Sequence, residues 1–92
     1  MALPAGAGNV IVVGKKGIPD YVLAAILLFN EGHEEVVIRG HGQNINKAVD
    51  IYNALAQRLK DSLELVEVKI DSVERGKKLV PFIEIRVRRK IV

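Results

Sequence analysis

The sequence predicts an α/β fold: a βαβαββ two-layer sandwich, in which two helices cover a mixed four-stranded sheet and a C-terminal β-hairpin projects. Three observations predict it. By residue 59 the hydrophobic pattern has twice passed from a short apolar run to spacings of three and four, as alternating strands and helices require. From residue 63 onward the spacing is two on either side of a Gly-Lys-Lys turn, which marks a hairpin. Glycines stand at the changes, at Gly14, Gly32, Gly40, Gly42 and Gly76, where chains turn.

Each element follows in order. Residues 1 to 8, MALPAGAG, are small and weakly patterned and are expected to form a flexible leader; residues 9 to 92 form a single domain. Val10 to Val13 is an apolar run long enough for a buried strand. It runs into Gly14-Lys15-Lys16-Gly17, and Pro19 suits the first turn of a helix. Ile18, Val22, Ala25, Ile26 and Phe29 recur at helical spacing. Leu23, Leu27 and Leu28 widen the apolar arc, so this helix is expected to be buried on more than one side. Gly32 suits a left-handed C-terminal cap. Glu35 to Arg39 is a second strand centred on Val36 to Ile38. A strand, helix and strand in this order pair in parallel with a right-handed crossover, which ends both strands on the same edge of the sheet.

After a loop from Gly40 to Asn44, the residues Ile45, Ala48, Val49, Tyr52, Leu55, Ala56 and Leu59 form a second amphipathic helix. Asn44 or a neighbour is its expected cap, and Lys60-Asp61 its end. From Leu63 to Val73 the pattern alternates, with Val66, Val68 and Ile70 against Glu67, Lys69 and Asp71. The break in phase between Leu65 and Val66 reads as a bulge or as the approach to the strand. The final strand alternates Ile83, Ile85 and Val87 against Glu84, Arg86 and Arg88. Pro81 cannot donate to a ladder, so it belongs at an edge or on an arm beyond the sheet.

Composition narrows the function classes. A 92-residue domain buries only about two-thirds of its unfolded surface, so association with another chain would help it. With 49% hydrophobic residues but only four aromatics, packing is mainly aliphatic. There is no cysteine, which removes disulfides, thiolate metal sites and cysteine nucleophiles and fits a reducing cytoplasm. No apolar run reaches the roughly 18 residues that a membrane span needs, and the N-terminus lacks the basic and apolar regions of a signal peptide. The net charge of +3 is unevenly placed: residues 1 to 74 carry seven Lys/Arg against ten Asp/Glu, whereas residues 75 to 92 carry seven against one. Such a concentration suits a polyanionic partner.

The candidate site is Asn9 to Gly17, NVIVVGKKG. It aims the cations of Lys15 and Lys16, and backbone N–H groups expected to be free, at the positive end of a helix, an arrangement that attracts phosphate. The loop Gly40 to Asn44 should lie beside it at the start of the second helix. Arg75, Lys77 and Lys78 place further cations on the hairpin turn; as an alternative, such charges protect an edge strand. Lysine is a flexible point charge, suited to tracking a phosphate backbone more than to reading bases. His41 can touch phosphate when protonated, though a plain loop histidine is the simpler reading. Arg86, Arg88, Arg89 and Lys90 are as well explained by cross-strand pairing with Glu67 or Asp71.

Enzyme motifs are incomplete. Gly40-His41-Gly42-Gln43-Asn44-Ile45 has Ile45 where a dinucleotide fingerprint needs its third glycine. A phosphate-binding P-loop fails because Lys16 follows Lys15 and Asn9 occupies the leading glycine position. His33 and His41 are too few and too far apart in sequence for a metal site. No catalytic residue, cofactor or metal is therefore expected.

The run NVIVVGKKGIPDYVLAAILLFNEGHEEVVIRGHGQNINKAVDIYNAL, followed by a hairpin with a basic turn, resembles the Alba (Sac10b) family of archaeal nucleic-acid-binding proteins over nearly the whole chain. The resemblance implies a homodimer, or a heterodimer with a paralogue, with two hairpin arms. It also implies a cytoplasmic, chromosome-associated protein that binds double-stranded DNA and RNA with little sequence preference and compacts the chromosome. The alternative it implies is a dedicated RNA-binding subunit of a ribonucleoprotein. Lys15 and Lys16 match the family's lysine pair, and Lys47 the lysine early in the second helix. His41 and Gln43 stand where many members carry arginines, and Leu59 where many carry an aromatic. The nucleic-acid-binding residues expected are thus Lys15, Lys16, His41, Gln43, Asn44, Lys47, Arg75, Lys77 and Lys78.

Overall fold

The computed structural model describes residues 8–90; apart from Gly8, the expected leader lies outside the described residues. The elements are β1 (Val10–Val12), α1 (Ile18–Asn30), β2 (Glu35–His41), α2 (Ile45–Leu59), β3 (Leu63–Arg75) and β4 (Lys78–Arg89), with short 3-10 turns at Gly42–Asn44 and Lys60–Ser62. The sheet order is β1-β2-β4-β3. β1 pairs in parallel with β2, while β2 with β4, and β4 with β3, are antiparallel. The mixed sheet expected from the sequence is therefore present, with the two hairpin strands adjacent.

One face of the sheet carries both helices. Ile11, Val36, Ile38, Ile85 and Val87 meet Val22, Ala25 and Leu28 of α1 and Ala48, Ile51 and Leu55 of α2, all buried. Each of the Val, Leu and Ile side chains contributes on the order of 1.5–3 kcal/mol through burial, and each alanine less. Leu23 and Leu27 depart from expectation: both are exposed within this chain, so α1 is buried along one broad face and not on more than one side. The helix ends as its glycine foretells. Gly32 has φ of +106°, its N–H donates to Phe29 O at 3.1 Å, and the His33 N–H reaches Leu28 O at 3.2 Å. These two bonds satisfy end carbonyls that would otherwise be orphaned.

β2 runs two residues farther than the sequence suggested, through Gly40 and His41, which pair with Ile83 and Phe82. Gly40 is needed there because α2 begins directly above the strand. A Cβ at this position would stand 2.4 Å from Asn44 O and 2.9 Å from Ala48 Cβ. Asn44 holds the expected cap position of α2 but makes no side-chain capping bond; the preceding 3-10 turn carries the chain into the helix instead.

β3 and β4 outrun β2. Pairing between β2 and β4 stops at His41–Phe82, whereas β3 and β4 continue through Ser72–Pro81 to Arg75–Lys78. These last four pairs are a two-stranded arm, and Pro81 lies where β4 has no β2 neighbour requiring its N–H. The turn is only Gly76-Lys77. Gly76 at its first position has φ of +63°, as a tight hairpin with glycine first requires. The phase break in β3 is a bulge: Leu65 pairs with Val87 and Glu67 with Arg86, leaving Val66 as the extra residue.

Candidate nucleic-acid interface

Topology assembles the site. Because β1 and β2 are parallel neighbours, the Lys15-Lys16 turn after β1 and the Gly42–Asn44 turn after β2 leave the same edge of the sheet, each at the start of a helix. β4 runs against β2, so the arm leaves from that edge too. Lys15, Lys16, Gln43, Asn44, Lys47, Arg75, Lys77 and Lys78 are thus gathered along one rim from residues up to 63 positions apart. Lys15, Lys16, Gln43, Arg75, Lys77 and Lys78 are exposed, and Asn44 and Lys47 are half-buried. Among the described residues no ion pair engages the lysines and arginine of this group.

Three N–H groups of the lysine turn, those of Gly14, Lys16 and Gly17, are not free, contrary to expectation. Tyr21 of α1 places its hydroxyl so that Oη accepts the Gly14 N–H at 2.7 Å and the Lys16 N–H at 3.3 Å. The Gly17 N–H donates to Asp20 Oδ2 at 3.2 Å. That carboxylate offsets part of the positive end of α1. Anion attraction at this turn therefore falls mainly to the lysine side chains. Lys47 reaches back from α2, donating from Nζ to Gly14 O at 2.7 Å and lying 5.5 Å from the centre of the Tyr21 ring, within cation–π range. Sequence reasoning passed over Tyr21 because a tyrosine in an apolar helix reads as core; its hydroxyl shows its use only once the turn is folded against it.

His41 lies in β2 and not in a loop. Its ring packs against Phe82 at 5.4 Å between centroids, the two planes tilted by 42°. Burial, with help from the cations of Arg75 and Arg39 and against the pull of Glu84, holds the imidazole below its ordinary pKa. It is an aromatic prop at the root of the arm, and its neutral form is favoured there.

Arg86 and Arg88 of β4 belong to a different surface, and Arg89 donates to Asn30 Oδ1 at the end of α1 at 3.2 Å. On the sheet face away from the helices, Arg86 meets Glu35 at 3.1 Å and Glu67 at 3.8 Å, and Arg88 meets Glu35 at 2.6 Å and Glu64 at 3.9 Å. Arg39 binds Glu84 through Nε at 2.6 Å. The Arg88 and Arg86 hydrogen bonds hold the Glu35 carboxyl below the usual carboxylate range. Asp71, weighed as a partner for these arginines, stands opposite Phe82 instead. The basic excess of the last 18 residues is thereby divided: β4 spends much of its share on glutamates, and the arm tip keeps Arg75, Lys77 and Lys78.

A second exposed surface adjoins the arm. The helices do not reach β3, so Val68 (47% exposed), Ile70 (75%) and, on β4, Leu79 (69%) leave apolar side chains open to water. Val68 and Ile70 sit opposite the core residues Ile85 and Ile83, so they extend the core's own face outward.

Comparison with known proteins fixes the family. The Alba family model matches residues 9–72, which include β1, both helices, β2 and most of β3. The chain belongs to the Alba family. It is 45% identical over 82 residues to the DNA/RNA-binding protein Alba 2 of Saccharolobus shibatae, spanning 88% of this chain and 92% of that one. It is 40% identical over 86 residues to the DNA/RNA-binding protein Alba of Methanocella arvoryzae, spanning 88% and 90%. The solved structure of Alba from Thermoplasma volcanium superposes with a TM-score of 0.79 at 34% identity, covering 88% of this chain and all of that one. No helix of the described residues is long and apolar enough to cross a membrane, and they hold no cluster of metal-ligating side chains.

Proposed function

We propose that this Alba chain binds double-stranded DNA and RNA by charge along the sugar–phosphate backbone, with little sequence preference, as a binding protein and not an enzyme. The observation that carries the reading is the single rim on which the Lys15-Lys16 turn, the start of α2 and the basic arm tip converge. The names of the Saccharolobus and Methanocella relatives, both DNA/RNA-binding, support the ligand class. Lysines in turns supply attraction without the bidentate base contacts that confer sequence choice. A two-stranded ribbon tipped with cations can follow or enter a groove. In a cell such a binder sits on the chromosome.

The working unit in this reading is a dimer. The exposed apolar extension of the core on β3 offers a face for a second copy, or for a paralogue, and a dimer presents two arms. With about six to eight phosphate contacts, log Kd against log salt should have a slope of about 5 to 7 in magnitude. The test is titration of labelled mixed-sequence duplex DNA and structured RNA at several salt concentrations, with the native chain and the Lys15→Glu, Lys16→Glu double variant. Steep salt dependence, similar affinity for unrelated duplexes and loss of binding in the variant are expected. Native affinity in the double variant refutes the site. Tight binding to one folded RNA that excess mixed competitor cannot displace would make the chain a dedicated ribonucleoprotein subunit.

A further inference from the structure

Gly14 is held on both sides. Its N–H donates to the Tyr21 hydroxyl at 2.7 Å and its carbonyl accepts from Lys47 Nζ at 2.7 Å. The same hydroxyl takes the Lys16 N–H at 3.3 Å, so the two bonds bracket Lys15. Tyr21 is itself fixed, only 5% exposed and packed in the core, and Lys47 lies 5.5 Å from its ring centre. One buried phenol therefore connects β1, α1 and α2 at the point where the lysine pair leaves the sheet.

We propose that Tyr21 is a positioning residue for nucleic-acid binding, setting the backbone of Gly14 to Lys16 so that both lysines project from the rim, with Lys47 bracing the turn from α2 and not itself gripping phosphate. The inference rests on the reading of the Lys15-Lys16 turn as a phosphate site. A turn fixed before binding does not lose its backbone freedom on binding, and that saving appears as affinity. Lys47 also has its ammonium committed, to a carbonyl and to an aromatic face, which leaves it less able than Lys15 or Lys16 to turn toward an external anion.

Tyr21→Phe removes the hydroxyl alone and keeps ring volume, net charge and the cation–π contact with Lys47. Duplex DNA titration should show Kd rising about tenfold, equal to about 1.4 kcal/mol, in a protein that circular dichroism and sedimentation show folded and associated like the native chain. A purely structural role would lower the melting temperature but leave Kd of the folded protein within twofold, and that result overturns the proposal. The Lys15→Glu, Lys16→Glu variant separates the two levels. If it binds like the native chain, the phosphate-site reading itself fails; if it loses binding while Tyr21→Phe keeps it, only the positioning role fails. Combining Tyr21→Phe with Lys47→Met tests the brace: losses well short of additive are expected when both act through Gly14, and additive losses show Lys47 making its own phosphate contact. On the native chain, hydrogen exchange should be slower at the Gly14 amide than at Lys15; equal exchange at the two overturns the clamp without any substitution.

Discussion

Gly40→Ala is the substitution whose cost the structure sets most directly. The added methyl would lie 2.4 Å from Asn44 O and 2.9 Å from Ala48 Cβ, and the first of these is backbone at the entry to α2, with no flexible side chain to swing away. Relief requires the α2 entry and β2 to separate until the methyl stands at least 3.0 Å from the carbonyl oxygen, the limit that real Cβ contacts respect. Such a shift loosens Ala48, Ile51 and Leu55, each fully buried. Overpacking of this kind costs about 1–3 kcal/mol, and a backbone clash beside a tight core places it toward the upper end. With an unfolding entropy of about 2.1 cal/mol/K per residue, a loss of about 3 kcal/mol lowers the Tm of a chain this size by roughly 15 °C. Calorimetry at fixed protein concentration measures it, because association would otherwise shift the midpoint. Adding Ala48→Gly removes the 2.9 Å contact but not the 2.4 Å one, and a glycine inside α2 costs about 1 kcal/mol of its own, so it should not restore the loss. A Gly40→Ala chain within about 0.5 kcal/mol of the native one would refute the close-approach argument. The same displacement would draw Lys47 away from Gly14 O, so nucleic-acid binding should weaken as well.

Two further predictions rest on the sheet. Glu35 is bonded by Arg88 and Arg86, which depress its pKa below the ordinary value of 4.5; its stabilisation is complete above pH 4.5 and is lost as the pH falls from there through the lower native value. Glu35→Gln should therefore flatten the acid limb of a stability–pH profile while changing the pH dependence little above 5, and an acid limb equally steep in the variant would rule out this group as its source. The second concerns association. Val68→Asp with Ile70→Asp places charge on the exposed apolar strip of β3 without entering the core of one chain; if the proposed dimer forms through this strip, sedimentation should show a folded monomer with a salt slope about half that of the unsubstituted chain. A dimer that persists unchanged would move the interface elsewhere.

The particular residues show what could be read in advance. Gly32 ending α1 and the alternation on β3 and β4 follow from rules that act within a few residues, left-handed φ and side-chain period; the same rules narrowed the phase break after Leu65 to a bulge or the approach to the strand, and Pro81 to an edge or an arm, and the pairing of β3 with β4 decided for the bulge and the arm. Such rules are visible in a linear string. The β1-α1-β2 unit was equally legible, since a right-handed parallel crossover leaves little choice of topology. The reach of β2 through Gly40 and His41 was not. A Gly-x-Gly segment looks like a loop until α2 is seen crossing so close that only hydrogen fits on the Cα. The outward placement of Leu23 and Leu27 was also hidden, because period tells how wide an apolar arc is but not how much of it the rest of the chain covers.

The site divides in the same way. The sequence by itself determined that Lys15 and Lys16 are turn cations and that Arg75, Lys77 and Lys78 cluster at the hairpin tip, that the chain has α/β order, and that its pattern is that of the Alba family. Only the tertiary structure decided which cations remain available to a polyanion. It paired Arg86 and Arg88 with glutamates from β2 and β3, turned Lys47 inward to Gly14 and the Tyr21 ring, and filled backbone donors of the lysine turn with the Tyr21 hydroxyl and the Asp20 carboxylate. The physical reason is range. Turn propensity and hydrophobic period are fixed by neighbours along the chain, whereas the partner of a charge or an N–H group is whichever complementary atom the fold brings within about 3 Å, and strands far apart in sequence supply it.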